Sequence, residues 1–353
     1  NSDMTYAFTT RNGGFEWGAK DLNTIFGQRR NLLRPWFLYL FREVMRFNGE
    51  VGQRVAEDPT ITLGSLIDAM GLSDHFKRYY LLPMAGAIWS CPPQQMLKFP
   101  AKVFVNFFHN HGLLAMDGQP QWLTVDGGAQ QYVQRLSAAL KARPLTGCPA
   151  ASVKRDDGGI QITDTAGGTA RYDHIVFACH TDESLGLLSD ATDAERAALG
   201  AIKYQRNLAI LHKDPRFMPK RRRCWAAWNY HASGDGAEPA VTLTYWMNKL
   251  QSIDENYPLF VTLNPAVEVA KADIFDTYVF HHPVFDPVAV AAQSALARMQ
   301  GERNTWFCGA YMRHGFHEDG LVSAMAAAEG LGVTAPWLQS MNSIGDDFAA
   351  AAS

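Results

Sequence analysis

The side chains with the most chemistry to offer lie together near the end of the chain: Arg313, His314 and His317, followed directly by Glu318 and Asp319. An imidazole changes charge near neutral pH and can move protons, so His317 is the candidate catalytic acid or base. His314-x-x-His317 with His281-His282 can also be written as a metal site. It lacks a neighbouring carboxylate–histidine pattern, and a histidine satisfied by the fold is the commoner case. His109-Asn-His111 stands at the end of an expected helix, where capping the last carbonyls is the ordinary role. The chain holds neither a Gly-x-Ser-x-Gly elbow nor a Walker loop. Cys91, Cys148, Cys179, Cys224 and Cys308 are scattered, odd in number and without a CxxC pair, which points to reduced thiols in the cytoplasm.

The stretch that must position these groups reads as strand, loop and helix. Thr305 to Cys308 is a short apolar run ending at Gly309, as a buried strand would be. Ala310 to His317 forms the loop. From Asp319 the composition is helical, with alanine at 324, 326, 327 and 328 and Gly330 placed to stop the helix. Gly309 lets the backbone turn sharply, and Gly320 removes a Cβ from the first helical turn. A planar ligand can then lie against exposed backbone N–H groups. Those donors and the positive end of the helix dipole suit an electron-rich carbonyl or an anion. The same unit would also serve as an ordinary piece of any α/β sheet.

At 353 residues the chain has room for two domains of ordinary size. A hydrophobic content of 47% with 19% charged residues is globular rather than disordered. Nine Trp, 12 Tyr and 20 Phe are enough to line a large apolar pocket, although a filled core accounts for most such rings. The net charge of −3 gives no reason to expect nucleic acid as a partner. The one basic run, Lys220-Arg-Arg-Arg223, follows Pro219 and reads as a solvated turn. No apolar run approaches the roughly 20 residues of a membrane span, which leaves only peripheral membrane contact open. No signal peptide is visible. The sequence does not indicate an oligomeric state.

Along the chain, Arg11-Asn-Gly-Gly14 between Met4–Thr9 and Phe15–Trp17 is a hairpin signal. Asp21 to Phe26 is an expected short helix, and Pro35 opens a longer one to about Phe47. Its apolar residues cover most of its surface, so it is expected to be buried, the alternative being contact with lipid. Thr62 caps a helix stopped at Gly71, Ser73 starts another to about Leu82, and a further helix spans 100–111. Asp126-Gly-Gly turns into an amphipathic helix with Tyr132, Val133, Leu136 and Leu140 on one stripe. Expected strands follow at 151–153, 159–163 and 172–179, then a helix over 182–188 capped by Thr181. Strand-like stretches at 208–212, 241–246, 260–263 and 275–280 alternate with turns, and the tail after Pro336 is expected to fray.

Several collinear motifs resemble the flavin-containing amine oxidase superfamily, most closely its bacterial branch of predicted NAD/FAD-binding oxidoreductases. They are Asp126-Gly-Gly-Ala-Gln-Gln-Tyr-Val, Tyr172-Asp-His-Ile-Val-Phe-Ala-Cys-His, Leu81-Leu-Pro-Met-Ala-Gly-Ala-Ile-Trp-Ser, Ala227-Trp-Asn-Tyr-His, Leu243-Thr-Tyr-Trp-Met-Asn, and Cys308-Gly-Ala-Tyr with Gly315-Phe-His-Glu-Asp-Gly. The resemblance implies a two-domain FAD-linked fold, α/β with an α+β substrate domain, and FAD as cofactor. It implies a discontinuous flavin domain over 119–180 and 300–335, a substrate domain over 1–118 and 185–298, and a tail over 336–353. Gly309 and Ala310 would lie by the ribityl and phosphate end. Glu318, Asp319, Gly320 and Leu321 would face the pyrimidine edge with their backbone, Ala150 would meet the adenine, and Phe316 would sit beside the flavin ring.

There are two departures from that pattern. The family's Gly-x-Gly-x-x-Gly turn, which holds the pyrophosphate within a βαβ unit, is not found; Gly330-Leu-Gly-Val-Thr-Ala335 follows a helix and precedes Pro336. The chain is therefore expected to be truncated at the N-terminus, without the roughly 30 residues of that unit, and to bind FAD poorly by itself. Ala310 also stands where the family commonly has a polar residue. An FAD-dependent oxidoreductase acting on an apolar substrate, an acyl chain among the candidates, is the reading adopted. The aromatic and aliphatic character of residues 30–115 favours it over a small amine, and the resemblance carries an association with fatty-acid modification. Trp89, Trp228, Tyr245, Trp246 and Tyr311 are the candidate pocket residues, between the two domains. The alternative is a non-catalytic lipid-binding or scaffold protein.

Overall fold

The computed structural model describes residues 1–10, 12–89, 93–115, 121–232, 242–335 and 337. Of the sequence expectations, Arg11 of the hairpin signal, Cys91, Val241 and all of the 336–353 tail except Trp337 lie outside the described residues. Among the described residues there are twelve strands: β1 (Tyr6–Thr10), β2 (Glu16–Gly18), β3 (Ala150–Asp156), β4 (Gly159–Asp164), β5 (Thr169–Tyr172), β6 (Ile175–Phe177), β7 (Lys203–His212), β8 (Trp228–Ala232), β9 (Thr242–Trp246), β10 (Phe260–Leu263), β11 (Ile274–Val284) and β12 (Thr305–Phe307). Contacts divide the chain into two compact units, Asn1–Pro144 with Tyr204–Asp286, and Leu145–Lys203 with Pro287–Ser353. Residues 121–144, placed by the sequence with the flavin segment, group with the first unit.

The first unit is built on a seven-stranded sheet in the order β11-β7-β10-β9-β8-β1-β2. β1 runs parallel to β8, while its other neighbour β2 is antiparallel. A parallel pair needs a long crossover, and residues 20–227 supply it with most of the helices. Because successive side chains alternate, Tyr6, Phe8, Trp228, Tyr230, Leu243 and Tyr245 share one face. There Phe8 stacks on Tyr230 at 5.8 Å and meets the edge of Tyr79, from the helical block, at 5.7 Å.

The opposite face carries Thr9, Glu16, Asn229, Thr244, Thr262 and His212, all buried. They are satisfied by one another: His212 Nε2 lies 2.7 Å from Thr262 Oγ1, which lies 2.9 Å from Thr244 Oγ1. Burial holds the imidazole of His231, beside Thr9 in register, down to about 4.

The helical block departs from expectation in two places. The helix opened by Pro35 runs on to Glu57, because Phe37, Leu40, Phe47, Val51 and Val55 continue one buried stripe past Gly49 and Gly52. Packing of that stripe outweighs the roughly 1 kcal/mol that each helical glycine costs. The helix is not buried all round, since Leu38, Tyr39 and Met45 are exposed. The segment from Ser73 also continues beyond Leu82, through a π-helical turn at Lys77–Leu81, to Trp89. Thr62 and Ser73 cap as expected, accepting from Ser65 N and Phe76 N at 3.2 Å each. After Gly127 and Gly128, both at positive φ, the Gln130–Ala139 helix forms, but its Tyr132, Val133 and Leu136 stripe is exposed.

In the second unit β3, β4 and β5 form an antiparallel meander, and β6 pairs in parallel with β12. The run expected as a single strand over 172–179 is split at Asp173-His174 into the end of β5 and the start of β6. Gln300 closes the other edge of β12 with its side-chain amide: Nε2 donates to Phe307 O and Phe307 N donates to Oε1, both at 2.9 Å. The helix His317–Gly330 packs Asp319, Ser323 and Ala327, an i, i+4, i+8 row, toward the core.

Gly330 does not end this helix in the way expected; Gly332, at φ +83, takes the left-handed position that follows Leu331. Gly330 is glycine because a Cβ there would lie 2.1 Å from the Trp306 ring. Gly330→Ala is expected to cost about 1–3 kcal/mol by overpacking. Gly186→Ala, in a helix of the same unit with open space around the Cβ, is expected to gain up to about 1 kcal/mol. Urea unfolding of the two variants checks this opposite pair of signs.

Candidate functional site

The strand–loop–helix segment is held together by its own side chains. Gly309, at the end of β12, donates its N–H to Ser323 Oγ at 2.9 Å, and Ser323 Oγ donates to the Gly309 and Gly320 carbonyls at 3.2 and 2.8 Å. A Cβ on Gly309 would lie 2.5 Å from the buried Tyr311 ring, which folds back over it. The glycine is therefore needed for close packing, since its φ of 162° is ordinary extended backbone. Asp319 is buried, and its Oδ2 accepts from His314 N at 3.2 Å and Phe316 N at 3.0 Å, with Arg313 Nε 3.7 Å from Oδ1. Gln293 Nε2 donates to the carbonyls of Tyr311 and Arg313 at 2.9 and 2.5 Å. The loop is thus clamped from both ends.

What this leaves for a ligand is the first turn of the helix. The N–H groups of His317, Glu318 and Asp319 have no carbonyl within the helix to bond to. A Cβ on Gly320 would meet only Ala310 N, at 3.7 Å, so the glycine leaves the first turn open to close approach. The turn offers backbone donors at the positive end of a helix dipole, suited to the carbonyl edge of a planar ring. The residues present fit the ring end of a flavin in this way. The Gly309 N–H is taken by Ser323 Oγ.

Ser323, Gln293 and Gln300 were not legible as site residues. Only the four-residue spacing of Asp319 and Ser323 signalled a shared face.

Glu318, His317 and Leu321 are exposed on the first turn, and Phe316 is half-buried at its N-cap. Ala150 opens β3, exposed beside a bulge, and no described hydrogen bond joins it to residues 309–321. Among the described residues no group of three or more His, Cys, Asp and Glu side chains is arranged for a metal ion. His111 does cap a helix carbonyl, with Nδ1 2.8 Å from Phe107 O.

The rings expected to line one pocket are not gathered in one place. Trp228 and Tyr245 are directly opposed across β8 and β9, with ring centroids 4.9 Å apart. Trp246 follows Tyr245 along the strand and so points to the other face of the sheet, against Met218, Trp225 and Phe260. Trp89 is buried among Phe99, Phe104 and Phe107. Tyr311, in the second unit, is used in packing Gly309.

The first unit holds a cavity that the sequence did not reveal. It has a volume of about 420 Å3 and is walled by Leu22, Ile25, Phe37, Leu40, Phe41 and Val44. Two polar atoms on residues of its wall, Trp17 Nε1 and Asn48 Oδ1, are buried without a hydrogen-bond partner. One is a donor and the other an acceptor.

The profile of flavin-containing amine oxidoreductases matches residues 61–237, half of the chain. The chain belongs to that family. It is accordingly an FAD-dependent oxidoreductase, with FAD as its cofactor. No curated protein sequence matches the chain. Solved structures share its fold. The CLA-producing fatty acid isomerase from P. acnes superimposes with a TM-score of 0.59 at 16% identity, over 94% of this chain and 81% of the isomerase. A putative protoporphyrinogen oxidase from Exiguobacterium sp. gives 0.60 at 13%, over 94% and 80%. Cyclohexylamine oxidase from Brevibacterium oxydans gives 0.58 at 14%, over 94% and 82%. The fold is the two-domain FAD-linked type that the motifs implied.

Within such a flavoenzyme the cofactor, when bound, supplies the hydride acceptor. In this chain the loop and first helical turn over 309–321 are held by Asp319 and Ser323. Removing the acceptor shared by His314 and Phe316 with Asp319→Ala is expected to cost about 1–3 kcal/mol. Amide exchange at residues 314 and 316 should accelerate, and unchanged protection there would show that the carboxylate does not hold the loop.

Proposed function

We propose that the enzyme oxidises an apolar substrate carrying one polar group, with an acyl chain as the best-fitting class and hydride passing to FAD. The cavity carries this reading. Its volume of about 420 Å3 lies within the roughly 300–1,000 Å3 of small-molecule sites, and its wall is chiefly aliphatic and aromatic. An aliphatic chain would lie against Leu22, Ile25, Leu40, Phe41 and Val44. Lys20 and Asp21 stand on the same wall and can pair with an end group of either charge, so it is the apolar remainder of the wall that favours a long chain over a small amine.

In this reading the first unit binds substrate and the second holds the flavin ring at the first turn of the 317–330 helix. His317, exposed on that turn, is the proposed proton carrier. The free thiols of Cys148, Cys179, Cys224 and Cys308 accord with a reducing compartment such as the cytoplasm.

The test is anaerobic flavin reduction in an FAD-loaded preparation, comparing long-chain fatty acids with small primary amines. Bleaching of the flavin band by the acyl compounds is expected, and its suppression by Val44→Trp, which fills the cavity. Reduction by amines alone would overturn the substrate class. Ligand binding without bleaching would favour the non-catalytic lipid-binding reading.

A further inference from the structure

The basic run Lys220-Arg-Arg-Arg223, a plain solvated turn in the sequence, is folded against a second basic stretch. Arg30, Arg34 and Arg221 all donate to the glycine turn at 13–14: Arg30 and Arg34 to Gly14 O, and Arg221 Nη1 to Gly13 O at 3.0 Å. The Lys220 stem lies 2.8 Å from where a Cβ on Gly13 would be, and Arg223 Cγ lies 3.3 Å from the same point on Gly27. Arg29 donates to the carbonyls of Asn23 and Phe26.

Six cations, Arg29, Arg30, Arg34, Lys220, Arg221 and Arg223, therefore share one surface on a chain whose net charge is −3. Buried Glu16 neutralises one of them through Arg221 at 2.7 Å. Arg222 is excluded from the count because it pairs with Glu255. The crowding has an electrostatic trace. The Arg34 guanidinium is held below its ordinary range by partial burial and then by repulsion from Arg30 and Arg221, with Tyr79 acting in the opposite sense.

Large apolar side chains stand out among these charges. Leu33 is 85% exposed and Leu32 49%, in the turn that carries Arg29, Arg30 and Arg34. Leu22, 67% exposed, also lines the apolar cavity, as does Phe41. Exposed Leu38 and Met45 flank Phe41 at i−3 and i+4 on the same side of the Pro35–Glu57 helix. Exposed leucines ringed by arginines, next to an apolar cavity, suit an interface with headgroup phosphates on one side and acyl chains on the other. A soluble acidic protein would match the charges but would leave Leu32 and Leu33 without an apolar phase.

We propose that the face formed by residues 22–45 and 220–223 docks on an anionic lipid bilayer, with Leu32 and Leu33 inserting and the arginines and Lys220 meeting lipid phosphates. The purpose of docking, delivery of an acyl substrate, rests on the reading of the cavity given above, but the docking itself does not.

The experiment is vesicle flotation of the full chain. It uses phosphatidylcholine vesicles with and without 30% phosphatidylglycerol, at low salt and at 0.5 M salt. Binding is expected only with the anionic lipid and is expected to weaken steeply in salt. Lys220→Glu/Arg223→Glu should weaken it by at least about 30-fold, at about fivefold per cation removed plus the added repulsion. Leu32→Ser/Leu33→Ser should weaken it while leaving net charge unchanged. Tyr278→Ser, an exposed ring on β11 at the sheet edge opposite β2, should bind as the parent does, and thermal melts of all variants should coincide.

No binding to anionic vesicles, or binding indifferent to both double variants, overturns the proposal. So does capture by a soluble polyanion such as heparin that matches the vesicles and ignores the leucines. If Val44→Trp leaves apolar-ligand binding untouched while flotation behaves as expected, the cavity reading falls and the docking face stands.

Discussion

Arg155→Met is expected to destabilise the second unit by about 3–5 kcal/mol, the usual consequence of stranding buried carboxylates. The guanidinium is almost fully buried. Its Nη2 donates to Glu195 Oε2 at 2.9 Å, its Nε to Asp190 Oδ2 at 3.2 Å, and its Nη1 to Thr305 Oγ1 at 3.2 Å. Arg303 adds a second cation on Asp190. One side chain thereby ties β3, the 189–195 turn and β12 together, and β12 leads directly into Gly309. Burial alone would raise the Glu195 carboxyl. The hydrogen bond from Arg155, the Thr192 N–H and the charge of Arg155 together outweigh it and hold the group at about 2, against 4.5 when unfolded.

The sign of the pH dependence follows. A depressed folded value means stability that is fully present above pH 4.5 and is lost as pH falls from 4.5 toward 2. The full loss is about 3 kcal/mol at one pH unit per 1.4 kcal/mol, of which about 2 kcal/mol has gone by pH 3. Urea unfolding at pH 7 and pH 3 should show it in the parent and largely abolish it in Glu195→Gln, which is already weaker at pH 7. A parent protein equally stable at both pH values would mean that the network contributes nothing. The double change Arg155→Met/Glu195→Leu should recover part of the single-variant loss, because apolar side chains of similar size need no partner.

Gly320→Ala is expected to move stability and cofactor binding in opposite directions. The added Cβ meets only Ala310 N at 3.7 Å, an ordinary contact. Gly320 lies inside the His317–Gly330 helix, where alanine is favoured over glycine by about 1 kcal/mol. Without flavin the variant should melt a few degrees higher. With flavin it should bind at least tenfold more weakly, since a methyl group would occupy the opening where the ring edge reaches the first-turn N–H groups. The FAD dissociation constant from an equilibrium fluorescence titration, read beside the melting temperature, separates the two effects. Equal dissociation constants in parent and variant would mean that the ring does not approach residue 320. Gly309→Ala is a poor substitute, because its Cβ collides with Tyr311 and unsettles the turn whatever binds there.

Much of the local structure was written in the sequence because its causes are local. Pro35, Thr62 and Ser73 open helices where they stand, as expected of a fixed φ and of hydroxyls that reach the next turn. The run into Gly309, the loop and the helix from His317 were legible for the same reason, and the collinear motifs led to the family and its flavin. What failed depended on partners distant in the chain. The Pro35 helix outran its expected end because Val51 and Val55 find a core to enter, a fact with no local sign. Trp246 and Tyr245 were grouped by ring type, although adjacent strand residues must face apart, and only the sheet shows what covers each side. Gly330 looked like a helix stop until Trp306, 24 residues earlier, filled the space beside it. The Arg155 cluster and the cavity beside Trp17 and Asn48 each join residues from separate stretches of chain, so no spacing could have announced them. Capping and turn chemistry act within a few residues and can be read in order. Burial and the pairing of buried charges act through space, and for these the tertiary fold decides.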